Sequence, residues 1–246
     1  PGQTAADVII MVSMRGGMDG LMAVPVLGDP LLQQNRPSTA VTDSENINLD
    51  NHFGLHKNLS GFKSMFDNQE LAIVHAVGTP TGTRSHFDDQ LAIELAAYNN
   101  PDTTTGWQTR YLSAIGSTEV LTGFSASQNK PAAFRGANQA AAFEDLNQVT
   151  ITSVGNDRAS YLELLKQMHR NSDHQWAKAG LSSIDASEKL RSVSQTSGVT
   201  YPDTALGRRF KLLATLLHSG TPIKTANIDF GGDLDVHSEA GIAAGT

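Results

Sequence analysis

The feature that most constrains the fold is an apolar run at residues 7–14, DVIIMVSM, which ends directly in the glycine-containing segment RGGMDG at residues 15–20. A continuous apolar run is typical of a strand that is covered on both faces within a parallel sheet. The glycines that follow permit a tight turn out of the strand. We therefore expect residues 7–14 to form a fully buried strand of an α/β protein.

The rest of the chain alternates between strand and helix patterns. Short apolar runs predict further strands at residues 71–77, 120–124, 149–154 and 223–230. Apolar residues at helical spacing predict helices at residues 55–66, 85–97, 107–115, 159–168, 176–193 and 205–218. Such alternation implies a mostly parallel sheet flanked by helices. Because no linker interrupts the pattern, the sequence predicts one domain over residues 1–246.

Composition excludes several classes of function. The formal net charge of −7, with no cluster of Lys and Arg, argues against a nucleic-acid partner. The longest apolar runs are too short to cross a bilayer. The chain has no cysteine, which excludes disulfides, thiolate metal sites and cysteine nucleophiles. There is no Walker-type GK[ST], Rossmann glycine fingerprint or GxSxG elbow.

Asp19 is the first candidate for chemistry, because it closely follows the predicted strand at 7–14. In open α/β sheets, ligands bind at the carboxyl ends of the strands, so polar residues after different strands can converge there. A carboxylate at this place suits a hard or borderline metal ion. An isolated Asp more often closes a turn or caps a helix, and that interpretation is favoured for Asp19 taken alone.

The second candidate is the segment TRSHFD at residues 83–88. The hydroxyls of Thr83 and Ser85 come before a predicted helix, whose N-terminus favours an alkoxide or a bound anion. Arg84 suits a two-pronged contact with phosphate or sulfate. The alternative is a capped helix with Asp88 in its first turn and His86 packed locally.

The third candidate is DFGGDLDVH at residues 229–237, the strongest local signal in the chain. Its carboxylates and His237 follow a predicted strand and a Gly-Gly turn. Asp233 lies four residues before His237, and Asp235 lies two residues before it. Neither spacing is diagnostic, so a metal cluster and an acidic surface turn both stay open.

Taken in order, these segments resemble a widespread family of secreted bacterial proteins. The strings that carry the resemblance are RGGMDGLMAVPVLGDP, FGLHKNLSGF, LAIVHAVGTPTGTRSHFDDQ, GWQTRYL, PAAFRG and IDFGGDLDVH. The family is domain-of-unknown-function family 1501, which is usually exported by the twin-arginine route and is grouped with the alkaline-phosphatase and sulfatase clan. The resemblance extends from about residue 8 to residue 237. It implies a three-layer α/β/α sandwich of the alkaline-phosphatase type.

The resemblance also implies roles for individual residues. Asp19 takes the place of the metal-binding carboxylate, and Ser85, with Thr83 as the second choice, takes the place of the hydroxyl nucleophile. Arg84 and His86 become anion contacts or supports for the ligands. The family's usual GGWDTH corresponds to GGDLDVH, which places Asp235 and His237 at ligand positions, with Asp233 competing with Asp235 because one residue is inserted.

The implied activity is that of a secreted, metal-dependent hydrolase of phosphate or sulfate esters, with Zn, Ca or Mg as the ion. Its substrate would be a small anionic ester or a sulfated or phosphorylated polymer. The alternative is a non-catalytic structural or binding component of an exported assembly on the same fold, since the third motif is altered. A periplasmic or extracellular location is expected, with the signal peptide already removed.

The clan takes further Asp and His ligands from later strands. We therefore expect residues 1–246 to be the N-terminal part of a longer domain. The missing elements would then follow Thr246 in a longer chain or come from a second chain. A homo-oligomer is the other arrangement left open.

Overall fold

The structure, a computed structural model, describes residues 7–98, 100, 102–151, 157–193, 198–231 and 234. The strands are β1 (Ile9–Met14), β2 (Asn46–Asn48), β3 (Gly54–His56), β4 (Gly123–Ser125), β5 (Ala140–Ala142) and β6 (Thr225–Phe230). The α-helices are α1 (Gly20–Ala23), α2 (Pro30–Asn35), α3 (Gly61–Asp67), α4 (His86–Leu95), α5 (Trp107–Ala114), α6 (Arg158–Arg170), α7 (Gln175–Leu190) and α8 (Ala205–His218). The described chain divides into two compact units, residues 14–86 and residues 7–13 with 87–230. The prediction of one domain over residues 1–246 stays a prediction.

The larger unit contains a four-stranded parallel sheet with the strand order β1-β6-β4-β5. Gly123 of β4 pairs in parallel with Ala140 of β5 on one side and with Thr225 of β6 on the other. The backbone N–H of Ile9 donates to the carbonyl of Lys224 at 3.1 Å, which places β1 beside β6. Along the chain, helices lie between these strands, so the expected α/β class is confirmed.

Helix α8 packs on this sheet because its sequence is amphipathic and well capped. The hydroxyl of Thr204 accepts the N–H of Gly207 at 3.0 Å and starts the helix. Leu213 and Leu216 of α8 are buried against Phe124 and Ile228 in one hydrophobic cluster. Burying a side chain of this size contributes about 1.5–3 kcal/mol. This cluster is the main core of the larger unit.

A buried polar network links α5 to the sheet. Gln108 is fully buried and donates to the hydroxyl of Thr225 at 2.7 Å and to the carbonyl of Ala226 at 3.1 Å. The Thr225 hydroxyl donates in turn to the carbonyl of Ile9 at 3.0 Å. Because buried polar groups are costly without partners, this network fixes how α5 and β6 pack.

The smaller unit is built around the antiparallel pair of β2 and β3, in which Asn46 lies opposite His56. The carboxylate of Asp50 accepts the N–H groups of His52 and Phe53 and shapes the turn between the two strands. Helices α1, α2 and α3 are short. Across the described residues, no helix has the combination of length and apolar character needed to cross a membrane.

Several helices and strands lie close to where the sequence places them. The prediction for α8 has the same bounds as the observed helix, and α5 is one residue shorter than predicted. Helices α4, α6 and α7 and strands β4 and β6 fall at the predicted segments with shifted ends. In these segments the spacing of apolar residues matches the repeat of the helix or strand that forms, so the local sequence is enough to predict them.

Strand β1 forms at the expected place, but the prediction that it is fully buried is wrong. None of its residues is buried, and the side chains of Ile9 and Val12 are 43% and 41% exposed. The physical reason is topological, because β1 is the first strand of the sheet order and, among the described strands, lies beside β6 alone. An apolar run does not tell a central strand from an edge strand.

Three other segments differ from expectation. Residues 71–77 are irregular, with Val74 and Val77 75% and 76% exposed, since no strand within the described chain pairs with them. The predicted helix at 55–66 begins as strand β3 and becomes α-helical only at Gly61. In the predicted strand at 149–154, Val149 ends a 3₁₀ turn that Asp145 caps, and residues 152–154 lie outside the described part.

Candidate functional site

The turn after β1 takes a backbone conformation that favours glycine. Gly16 and Gly17 have φ values of 97° and 79°. Residues other than glycine rarely adopt such φ values, since the left-handed region costs an L residue about 1–2 kcal/mol. The two glycines therefore allow the chain to leave β1 and enter α1 within a few residues.

Asp19 caps the N-terminus of α1. Its carboxylate accepts the N–H groups of Leu21 at 3.0 Å and Met22 at 3.3 Å. It also forms a two-pronged ion pair with Arg36, in which Nη1 donates to Oδ1 at 3.0 Å and Nη2 donates to Oδ2. The interpretation of Asp19 as a cap, favoured from its sequence context, is confirmed.

The ionisation of Asp19 follows from these contacts. Burial opposes the charged form, but the hydrogen bonds and the charge of Arg36, together with the two backbone N–H groups, outweigh it and lower the pKa of the carboxyl. The carboxylate is thus held charged, with its oxygens already engaged. An ion at Asp19 would have to compete with Arg36.

The segment 83–86 forms a local turn immediately before α4. The Thr83 hydroxyl oxygen accepts the N–H of Ser85 at 2.9 Å, which is a side-chain turn of the Ser/Thr type. Arg84 is exposed, Ser85 is half-buried, and His86 is the first residue of α4. The sequence prediction that this segment leads into a helix is confirmed.

The ring of His86 lies against Gly17. A Cβ atom built on Gly17 would lie 2.4 Å from Cε1 of His86 and 2.9 Å from each ring nitrogen. Only a residue without a side chain permits this approach. The smaller unit therefore brings the 83–86 segment into contact with the glycine turn, two residues before Asp19.

The described residues do not by themselves fit a divalent ion. No group of three His, Asp or Glu side chains comes together among them, and the carboxylate of Asp19 is occupied by Arg36 and backbone N–H groups. The other expected donors, Asp233, Asp235 and His237, lie outside the described residues.

Arg36 is the residue that sequence reasoning missed. It lies 17 residues after Asp19, and no local pattern connects the two. Its side chain decides whether the Asp19 carboxylate is available to a ligand. A site prediction built only on residues after strands has no means of finding such a partner.

No family model, no curated protein and no solved structure matches the chain. The resemblance to family 1501 thus stays a prediction, carried by the motifs themselves.

Proposed function

We propose that the chain hydrolyses phosphate or sulfate esters, with the Ser85 hydroxyl as nucleophile and the 83–86 segment as the anion-binding part of the site. The observation that carries the proposal is the close contact between His86 and Gly17, which joins two of the three motifs in one unit. The same proposal includes an alkaline-phosphatase type of fold and export from the cell, in keeping with the family resemblance. A divalent ion held by Asp233, Asp235 and His237 belongs to the proposal as well.

Ser85 is a better nucleophile candidate than Thr83. The Thr83 oxygen already accepts a backbone hydrogen bond at 2.9 Å and so has a local structural role. Ser85 precedes the N-terminus of α4, where backbone N–H groups favour negative charge on an oxygen. Between the two hydroxyls, the surroundings of Ser85 suit an attacking oxygen more closely.

Arg84 supplies the positive charge that an anionic ester needs. Its side chain is exposed, and guanidinium groups bind phosphate and sulfate oxygens in pairs. Two acids in the first turn of α4, Asp88 and Asp89, compete for the same end of the helix dipole. The attraction for an anion therefore depends mainly on Arg84 rather than on the helix.

The reaction then proceeds in two steps, transfer of the phosphoryl or sulfuryl group to Ser85 and hydrolysis of the resulting serine ester. The Ser85 oxygen bonds to phosphorus or sulfur while the bond to the alcohol breaks, and the hydroxyl proton leaves with that alcohol. Water then attacks the serine ester, releases phosphate or sulfate and restores the hydroxyl. Arg84 neutralises the charge that builds on the equatorial oxygens.

The test is hydrolysis of p-nitrophenyl phosphate and p-nitrophenyl sulfate, with and without added Zn²⁺, Mg²⁺ or Ca²⁺. We expect Ser85→Ala to lower the rate at least about a hundredfold, because removing a nucleophile abolishes the covalent route. Ser60→Ala is the matched control, since the Ser60 side chain makes no capping hydrogen bond in α3. Full activity in Ser85→Ala, or equal losses in both variants, would refute the proposed role.

A second candidate function is a non-catalytic binding or structural component. The observation that favours it is the use of Asp19 as a helix cap and as a partner of Arg36, which is a structural role. If no ester is hydrolysed with any ion, and Arg36→Ala neither induces activity nor creates metal binding, the non-catalytic function is supported. Calorimetric titration with the three ions measures the binding.

A further inference from the structure

The larger unit contains a groove that the proposed hydrolysis does not use. It has a volume of about 610 Å³ and runs between strand β5 and helix α7, and we call it the β5–α7 groove. Its β5 side is formed by the alanines of Ala140–Ala142, whose small side chains fill little of the groove. A volume of this size is typical of small-molecule sites in proteins.

One face of α7 forms the opposite wall. Trp176 lies at one end of this wall and is 69% exposed, unusually open for the largest apolar side chain. The other α7 residues that line the groove are all small and lie 3, 6, 7, 10 and 11 residues after Trp176, which places them on the same helix face: Ala179, Ser182, Ser183, Ala186 and Ser187. The wall thus presents one exposed indole, which lies nearly parallel to the His174 ring with 6.4 Å between the ring centroids, followed by small side chains.

The uncharged polar side chains that line the groove are amides and hydroxyls in equal number. Gln128 and Asn129 come from the loop after β4, and Asn138 comes just before β5. Within the described residues, none of these three side-chain amides makes a hydrogen bond to another residue. An amide donates through nitrogen and accepts through oxygen, so these groups match partners that do both, as hydroxyls do.

Formal charge is almost absent from the groove. Among its described lining residues Lys130 is the one ionisable group, and its ammonium donates to the carbonyl of Ala137 at 2.6 Å. Partial burial lowers the pKa of Lys130. With no carboxylate in the lining, the groove does not suit a metal ion, and a single engaged lysine is a poor match for a multiply charged anion.

We propose that the β5–α7 groove binds a neutral carbohydrate, with a sugar ring against the indole of Trp176 and sugar hydroxyls hydrogen-bonded to the amides of Gln128, Asn129 and Asn138. A sugar ring has an apolar face of C–H groups and an edge of hydroxyls that donate and accept. The groove offers the complementary pair, a flat aromatic face and free amides. An extended peptide added to the edge of β5 is the competing occupant, and it would depend on backbone hydrogen bonds instead of Trp176.

The test is a fluorescence titration with cellohexaose, xylohexaose, maltohexaose and chitohexaose. Trp107→Phe serves as the background, so that Trp176 is the single tryptophan that reports. We expect at least one neutral sugar to shift the emission with saturation, and the affinity to be independent of salt because no charge is paired. The readout involves no hydrolysis, so it is independent of the proposed ester chemistry.

The sugar affinities of variants made in the wild-type background, measured by calorimetry, test whether the sugar binds in the β5–α7 groove. Trp176→Ala is expected to raise the Kd at least about tenfold, because the indole that the sugar ring covers would supply much of the binding energy. Asn138→Ala is expected to raise it about three- to tenfold, as for one neutral hydrogen bond. The matched controls Met168→Ala and Gln167→Ala remove exposed side chains of α6 and should leave the Kd unchanged.

Three results would overturn the proposal. The first is no binding of any of the four sugars at about 10 mM, which covers millimolar Kd values. The second is sugar binding that Trp176→Ala and Asn138→Ala leave unaltered. The third is saturable binding of an extended peptide at the groove, unaffected by Trp176→Ala, with no competition by sugar.

Discussion

Replacing Gly17 with alanine tests the contact that joins the two motifs of the smaller unit. Gly17 has φ at 79°, and the new Cβ atom would lie 2.4 Å from Cε1 of His86. Gly28 is the matched position, because its φ is 68° and a Cβ atom there meets nothing within 4 Å. Both substitutions carry the same backbone cost, about 1–2 kcal/mol for an L residue in the left-handed region. Only Gly17→Ala also displaces a side chain.

The stability difference between the two variants should be small. The atoms that a Cβ on Gly17 would meet belong to the rotatable side chain of His86 and not to backbone, so the ring can turn aside at a rotamer cost of about 0.5–1.5 kcal/mol. We therefore expect Gly17→Ala and Gly28→Ala to lower the free energy of unfolding by similar amounts in urea. The larger effect is on the position of His86, which the urea measurement does not detect.

The assay for that position is the NMR resonance of the His86 ring, assigned by comparison with His86→Gln. Gly17→Ala should shift the His86 Cε1–H resonance and lower any esterase activity, while Gly28→Ala should change neither. If the His86 resonance is the same in wild type and Gly17→Ala, the ring does not lie on Gly17 and the reasoning fails. Equal shifts in both alanine variants would refute it as well.

Two further predictions concern stability. Asp19→Asn keeps the cap of α1 and loses only the ion pair, so we expect a loss of about 0.2–1 kcal/mol at pH 7, whereas Asp19→Ala should lose a further 0.5–2 kcal/mol or so. Because the pKa of Asp19 is lowered from 3.8, the stability that its charge contributes is present above that pH and is lost as the pH falls through the lowered pKa, so the advantage of wild type over Asp19→Asn in urea unfolding should shrink steadily as the pH falls below 3.8. Gln108→Leu should cost about 2–4 kcal/mol by urea unfolding, since it strips partners from buried groups of β6, while Gln167→Leu on exposed α6 should stay within about 0.5 kcal/mol. A Gln108→Leu protein as stable as wild type would show that the buried network is not formed.

The limits of sequence reasoning are visible in particular elements. Helix α8 was predictable to the residue because its cap, Thr204, and its apolar spacing are local signals. The strand predicted at 71–77 fails because a strand exists only through a hydrogen-bonded neighbour, and apolar composition alone does not supply one. Strand β1 shows the intermediate case, in which the type of element is predictable and its burial is not.

The candidate site divides in the same way. The one-dimensional pattern places Asp19, Arg84 and Ser85 after predicted strands or before helices, and it predicts the Asp19 cap, since these properties depend on residues a few positions apart. The ion pair of Asp19 with Arg36 and the contact of His86 with Gly17 join residues that are distant along the chain. Such contacts depend on which distant segments of the chain pack together. Many different long-range pairings are compatible with the same local sequence preferences. Tertiary structure alone selects among those pairings, because each is stabilised by burial and hydrogen bonds that form only when both partners are in place.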